Sequence, residues 1–414
     1  MEEKSRYAVG IDVGTTTVRA VVGHIDPSTG TPTIVGVGQA PNNGMRKGVV
    51  VNLNGPAQAI DDSLGEAERM SGYEVNSASL SINGAHILST KADGMIAVGM
   101  ADHEINRDDL ARIEEVATTG KVPANREILE VVPHSYRLDS QDNIKDPLGM
   151  TGTRLEIIAN VISGLVPHMN NLRKVAEMAT VTPRNTALAV LAASKAVLQE
   201  RQIESGVAVI DLGGSTTGVA VFEEGDLQHV GVIPIGGVHI TNDLAIGLKT
   251  DPEIAEKVKI AHASAQVRQS AEGISIEHDK EVLTFSSSDI DEIVEARLEE
   301  VFEAVQDELK RSGRAGQLPS GVVLTGGTAN LIGIAEFAKK QLNVAARVGK
   351  PTGFAGIAEN IDQPQFATAV GLMLIDAEGG DSVAVRGDSH KQNITGAPKN
   401  ASNFVSKLFG KFKA

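Results

Sequence analysis

Two stretches of the chain carry the same pattern: an apolar strand, an Asp-x-Gly turn with small hydroxyl residues, and a second apolar strand. Residues 7–23 read YAVGIDVGTTTVRAVVG and residues 206–222 read GVAVIDLGGSTTGVAVF. The copies are far apart, from Asp12 to Asp211, so this is a duplicated supersecondary unit and not a short-period solenoid. Each copy precedes a further strand candidate, at 33–37 or 229–234. Such hairpins are apolar throughout and must be covered on both faces. Two half-domains of related architecture are therefore expected, and a chain of 414 residues exceeds what one core holds.

Helical periodicity recurs between the strands, at 55–71, 166–179, 184–199, 288–312 and 331–342, which makes the fold class α/β. Pro183 reads as an N-terminal signal for the helix 184–199. Ser288 or Asp289 caps the longest helix, and Gly313 stops it. Two segments read as insertions. Residues 78–164 form a small α/β stretch, with strands at 79–82, 94–98, 127–136 and 155–163 and a helix at 107–118. Residues 235–317 hold helices and one short strand, 281–285. Residues 377–401 are polar and Gly-rich without periodicity, as in a flexible linker.

Bulk properties narrow the function. The chain has no cysteine, so disulfides and thiolate metal sites are excluded. No apolar run approaches the ~20 residues of a spanning helix, and the acidic start MEEKSRYAVGIDVG is unlike a signal peptide. A cytosolic protein is the expectation. The net charge of −15 argues against nucleic-acid binding by the body. The charge is lopsided, because no acid follows Asp388 whereas Lys391, Lys399, Lys407, Lys411 and Lys413 do, giving +5 there and leaving −20 for the rest of the −15 total.

The duplicated turns carry the chemistry. Phosphates need backbone N–H donors at close range, and glycine lets the backbone approach. Gly14, Thr15, Thr16 and Thr17 make the first loop; Gly213, Gly214, Ser215 and Thr216 make the second. Asp12 and Asp211, at the base of each loop, suit Mg²⁺ held through water, a metal that takes few carboxylates plus phosphate and water. A single loop of this kind is most simply a tight hairpin. Two copies between apolar strands favour a clamp on phosphate and metal. A third loop, with Gly326, Gly327, Thr328 and Asn330, fits a base-side wall for a purine or ribose.

In this order and spacing the three loops resemble the actin and heat-shock-chaperone ATPase superfamily. Residues 35–38, 44–50, 57–70, 79–87, 232–237 and 241–245 look like the FtsA family of bacterial cell division, as does the basic amphipathic end. The resemblance implies an actin-like, ribonuclease-H-like fold of two domains with duplicated sheet-and-helix halves. Subdomain 1A would comprise 1–77 and 165–203, with a return at 360–376. Subdomain 1C would be the insertion 78–164, 2A would be 204–234 and 318–359, and 2B would be 235–317. ATP and Mg²⁺ are the implied cofactors. Gly236 and Gly237 would join the nucleotide site, and Glu256 and Lys259 would reach ribose and adenine. The i,i+3 spacing of that pair equally suits a surface ion pair. Implied partners are the FtsZ C-terminal peptide at 2B, later division proteins at 1C, copies of the chain itself in filaments, and an anionic membrane surface. The implied place is the cytoplasmic face of the cell membrane, at the division site.

Three positions depart from the family pattern: Thr17 where Lys is common, Ser215 in place of a third Gly, and Gly218 where many relatives have Asp. ATP binding is therefore implied more firmly than turnover, and no general base stands out. Ser194 lies where the superfamily positions its attacking water, but it also reads as a buried helix serine. A small-molecule kinase would need an acceptor pocket with a catalytic carboxylate, and no such motif is present. A PilM-type pilus scaffold shares the body and a related insertion but does not account for the tail.

That tail, 402–414, places Phe404, Val405, Leu408, Phe409 and Phe412 within an arc of roughly 140° at 100° per residue. Lys407, Lys411 and Lys413 fall outside the arc. An apolar face flanked by lysines suits an in-plane membrane helix; a helix docked on the body or on a partner is the alternative. Five buried apolar side chains at ~1.5–3 kcal/mol each are offset by the cost of folding so short a helix. The lysines add about 1 kcal/mol each on anionic lipid. One tail should bind reversibly, and many on a polymer firmly. Removing residues 402–414 should abolish co-sedimentation with anionic vesicles, and Phe409→Glu should nearly do so. Replacing Lys407, Lys411 and Lys413 together by Gln should have a milder effect. Equal vesicle binding by the truncated and full chains would discard the anchor.

Overall fold

The computed structural model describes residues 6–26, 28–99, 103–266, 268, 272–279, 281–356 and 361–379. The tail helix and the linker from residue 380 onward lie outside these residues.

The duplication read from the sequence is a duplication of sheets. In the first, Arg6–Val13 pairs antiparallel with Thr17–Ile25, which pairs antiparallel with Pro32–Pro41. On its other side Arg6–Val13 runs parallel to Ser77–Ile82, which runs parallel to Thr182–Leu188. In the second, Val207–Leu212 pairs antiparallel with Thr217–Glu223 and that strand with Asp226–Ile233, while Val322–Thr325 and Ala346–Val348 extend the sheet in parallel. Both sheets thus share one strand order, and the first adds the short strand Ala355–Gly356 at its far edge. The central strands are buried on both faces, which is why they read as continuous apolar runs rather than alternating ones.

Helix Asn54–Ser71 covers the first sheet through Ala57, Ile60, Leu64 and Ala67. Helix Ala367–Glu378 returns to the first half and lies against Arg6–Val13 and helix Ala189–Val197. A Cβ on Gly10 would stand 2.2 Å from the Ala369 carbonyl oxygen, and one on Gly371 would stand 1.8 Å from that of Ala192. Only glycine permits this backbone approach. Asp376 anchors the same helix. Its carboxylate accepts from the Val9 N–H at 2.9 Å, Ser79 Oγ at 2.9 Å and Arg184 at 2.7 Å. The second half adds helices Gly237–Gly247, Pro252–His262 and Ser287–Arg311 around their own apolar core.

Three expectations are corrected. The helix expected at 184–199 is a strand, Thr182–Leu188, followed by the helix Ala189–Val197. Pro183 sits in that strand, tolerated because the strand is the sheet's edge, where a missing N–H costs no ladder bond. The insertion expected from residue 78 starts later, because Ser77–Ile82 belongs to the first sheet. The segment 235–317 holds a hairpin of two strands, Gly273–His278 and Glu281–Ser286, rather than one strand.

The inserted unit is a separate antiparallel sheet, ordered Leu88–Ala97, Arg154–Leu165, Arg126–Leu138, Gln141–Ile144, with helix Arg107–Thr118 packed on it. Asn106 caps that helix, accepting from the N–H groups of Asp108 and Asp109. The unit also leans on the second half. Asn160 Nδ2 donates to the Leu227 carbonyl at 3.0 Å, and Lys145 pairs with Asp226.

Glu114, on the inserted unit's helix, is 6% exposed. Burial pushes its carboxyl up to about 7. The folded chain therefore holds this proton to higher pH than the unfolded chain, whose glutamates ionise near ~4.3. Stability from this group is full below that value and declines as pH rises toward 7. Glu114→Gln should leave the thermal midpoint nearly unchanged at pH 4.5 and raise it progressively toward pH 8. A difference that does not vary with pH would refute the assignment.

Candidate functional site

The two Asp-x-Gly turns meet at the floor of a cleft between the halves. A cavity of about 660 Å³ opens above them, within the range of a small-molecule site. Of the residues expected in it, Asp12, Gly14, Thr15, Thr16, Thr17, Asp211, Gly213, Gly214, Thr216, Gly237, Glu256, Lys259, Gly326, Gly327, Thr328 and Asn330 line it; Ser215 and Gly236 do not.

The two turns are built alike. In the second, the Gly213 N–H donates to the Thr216 carbonyl at 2.9 Å. A Cβ on Gly213 would lie 2.8 Å from that oxygen, and one on Gly14 would lie 2.5 Å from the Thr17 carbonyl. Glycine is thus required at both places by the turn itself. Among the described residues, the N–H groups of Thr15, Thr16, Gly214, Ser215 and Thr216 donate to no other backbone group. They form a set of donors of the kind that receives anions.

Ser215 and Gly236 act beneath this surface. Ser215 Oγ donates to Thr15 Oγ1 at 2.9 Å and so ties one turn to the other. Gly236 packs under the second turn, where a Cβ would meet the Gly213 carbonyl at 2.6 Å. The next two N–H groups, of Gly237 and Val238, donate to the Gly213 and Gly214 carbonyls at 3.0 and 2.6 Å. Thr328 Oγ1 donates to the same Gly213 carbonyl at 3.1 Å.

The carboxylates occupy equivalent places. Each lies on the first strand of its hairpin, and the parallel neighbour of that strand supplies a hydroxyl. Ser81 Oγ donates to Asp12 at 2.8 Å and Thr325 Oγ1 to Asp211 at 3.3 Å. Burial raises the Asp12 carboxyl, opposed by the Arg19 charge and the Ser81 hydrogen bond. Asp211 is pushed up to about 7, first by burial and then by the charge on Asp12. Among the described residues no group of three or more His, Cys, Asp or Glu is placed to hold a metal. Two carboxylates alone suit a hard cation that completes its shell with water and phosphate, such as Mg²⁺.

On the opposite wall, Lys259 Nζ lies 2.6 Å from Glu256 Oε2 and also donates to the Gly237 carbonyl and Thr241 Oγ1. The pair is an ion pair and also lines the cavity, so the two sequence readings are compatible. The Gly326–Gly327 loop forms a 3₁₀ turn, Gly327–Asn330, before helix Ile334–Leu342. Gly326 has φ +84°, and a Cβ there would stand 2.6 Å from Asp211 Oδ1. Ser194 is fully buried, donates to the Val190 carbonyl at 2.7 Å and is absent from the cavity lining. The helix-serine reading holds.

Among the lining residues that sequence reasoning missed, Asn83, Gln365 and Arg19 carry long polar side chains. Asn83 Nδ2, at the end of the strand after Ser81, donates to Thr216 Oγ1 at 3.1 Å across the cleft floor. Gln365 accepts from Asn330 Nδ2 at 2.8 Å. Arg19 pairs in register with Asp12 on the first hairpin, and that spacing was a usable signal. Asn83 and Gln365 carry none, because their approach depends on the tertiary arrangement.

Comparison with known proteins gives the context. The family model for cell division protein FtsA matches residues 208–371, and the model for the SHS2 domain inserted in FtsA matches residues 84–163. The latter agrees with the later start of the insertion. Cell division protein FtsA of Pseudomonas aeruginosa is 35% identical over 403 residues, covering 96% of each chain. That of Bacillus subtilis is 35% identical, covering 88% of this chain and 82% of its own. Among solved structures, the PilM–PilN type IV pilus biogenesis complex aligns with TM-score 0.66 at 16% identity, covering 90% of this chain and 98% of that one. MreB5 of Spiroplasma citri bound to AMPPNP aligns with TM-score 0.53 at 13% identity, covering 90% and 96%. These likenesses identify the two-halved body as actin-like. With that fold, the inserted unit and full-length relatives at this identity, the chain belongs to the family of cell division protein FtsA.

Proposed function

We propose that the chain binds Mg²⁺-ATP in this cleft and serves cell division as an assembling, actin-like protein. One observation carries the reading: two donor-rich turns and two carboxylates, Asp12 and Asp211, meet at a cavity of about 660 Å³. In that reading the turns hold the phosphates, and Asp12 and Asp211 hold Mg²⁺ through water. Glu256 and Lys259 face the ribose and base, and the Gly326–Asn330 loop forms the opposite wall. The metal would supply charge neutralisation of the phosphates. The solved MreB5 neighbours carry ADP and AMPPNP, and the MamK neighbour is a double helical filament. Both support nucleotide binding and self-association here.

The proposal extends to place and partners. The chain would assemble at the division site on the cytoplasmic face of the membrane, held by residues 402–414, and tether the FtsZ ring. It would engage the FtsZ C-terminal peptide through 235–317 and later division proteins through the inserted unit. No helix among the described residues is long and apolar enough to cross a membrane, which suits a peripheral attachment. The proposed activity is nucleotide binding, with at most slow hydrolysis.

Asp12→Ala and Asp211→Ala should each weaken Mg²⁺-dependent binding of a fluorescent ATP analogue by about 10- to 100-fold, with the fold intact. Unchanged affinity in both variants would remove the cleft assignment. Deleting residues 84–163 and joining the ends with a short linker should leave nucleotide affinity intact and abolish ATP-dependent pelleting. A folded deletion that no longer binds nucleotide would overturn this division of labour.

A further inference from the structure

The walls above the two turns, helix Pro252–His262 and the loop 326–332, differ from the floor in what they offer a ligand. Among the described residues, their cavity-lining side chains that can donate a hydrogen bond are Lys259, Thr328 and Asn330. Each is already committed within the protein. An ammonium has three N–H groups, and Lys259 spends them on the Gly237 carbonyl, Thr241 Oγ1 and Glu256 Oε2 at 3.1, 2.8 and 2.6 Å. An amide has two, and Asn330 Nδ2 spends them on the Gly327 carbonyl at 3.0 Å and Gln365 Oε1 at 2.8 Å. Thr328 Oγ1 donates to the Gly213 carbonyl. Gln365 gives one amide hydrogen to Gln363 and, among the described residues, keeps the other. The Ile332 carbonyl is taken as well, by the Ala265 N–H at 2.8 Å. What these walls leave open is apolar. Ile260, one turn after Glu256 on its helix, is 76% exposed and Ile332 is 69% exposed, and both line the cavity. Aliphatic side chains this open, on the lining of a cavity, offer a face to a flat ligand.

We infer that this cleft selects its nucleotide by the polyphosphate and by the flat face of a purine, not by the hydrogen-bonding edge of the base, so that the chain binds guanosine and adenosine triphosphates alike. The inference rests on the proposed nucleotide cleft and names the class of base it takes. Adenine and guanine present similar two-ring faces and differ at one edge, where a 6-amino group and a bare N1 are replaced by a 6-oxo group, an N1–H and a 2-amino group. Telling them apart requires a donor or acceptor fixed against that edge. A site of that kind rejects the wrong partner by about 10⁴- to 10⁵-fold, because its buried polar group is left unpaired. Here the donors of the walls are satisfied inside the protein and lose nothing when either base arrives. The side-chain donor that Gln365 keeps can be met by N7, an acceptor that both purines share. Glu256, as a carboxylate, only accepts, and suits ribose hydroxyls, which are the same in both nucleotides. Ile260 and Ile332 gain from covering a ring face whichever base carries it. A pyrimidine ring covers less of them.

The test is competition by unlabelled ATP, GTP, UTP and inorganic tripolyphosphate against an ATP analogue with a fluorophore on its ribose, in Mg²⁺. The full chain is compared with the double variant Ile260→Ser, Ile332→Ser, whose positions are exposed and tolerate substitution. GTP should compete within about tenfold of ATP, and UTP about tenfold or more below both. The double variant should lose about tenfold for ATP and by a similar factor for GTP, with no change for tripolyphosphate. A wild-type preference for ATP over GTP of more than about a hundredfold would overturn the inference, because some group would then be reading the edge. UTP competing as well as ATP would overturn it too, because the purine face would then contribute nothing. So would a folded double variant with wild-type affinity for both purine nucleotides. Each of these results leaves the nucleotide cleft standing. If the analogue does not bind the wild-type chain in Mg²⁺, the nucleotide cleft itself is wrong and the inference falls with it.

Discussion

Two carboxylates close enough for the charge of one to oppose ionisation of the other are the constraint around which this molecule is arranged. Burial and then the charge on Asp12 raise the cost of ionising Asp211, and burial raises that of Asp12. Everything nearby lowers that cost. A hydroxyl from the parallel neighbouring strand reaches each one, and the charge of Arg19 acts on both. Among the described residues, N–H groups of the turns above have no backbone acceptor. Donors and negative charge set side by side in this way suit the anion and metal proposed to bind here.

The duplicated sheets explain why such a receptacle forms at the meeting of two halves. Each half supplies the same strand order, so each brings one carboxylate, one tight turn and one hydroxyl to the same edge. Packing the turns against each other, with Ser215 on Thr15 and Gly214 against Thr16, brings the copies face to face. The symmetry is broken where side-chain volume decides. Val190 of the helix beneath fills the space opposite Asp211, whereas the space opposite Asp12 is left to an arginine.

Much of this was legible in the sequence because the signals were local. An Asp-x-Gly turn between apolar runs states its own geometry, and repetition removes the ambiguity of one copy. The glycines at 14 and 213 were legible for the same reason, since each is demanded by the backbone of its own turn, whereas Gly326 is crowded by the remote Leu212 carbonyl. What was not legible was decided at a distance. Residues 184–188 have a helical pattern but pair with the strand Ser77–Ile82 at the edge of the sheet, a partner distant in sequence. That strand was assigned to the insertion because nothing local distinguishes it from the strands that follow. Asn83 and Gln365 reach the cleft only once the halves are packed.

The seat of the inserted unit has a mechanical consequence. Both of its chain connections, at Ile82 and Leu165, belong to the first half, while Asn160 and Lys145 hold the second half at Leu227 and Asp226. It is a strut set between the two halves. A rotation that separated the halves would have to shear those contacts or carry the whole unit with it. The opening angle of the cleft and the attitude of the inserted unit are therefore geared together, although no residue of that unit lines the cavity beyond Asn83 at its root.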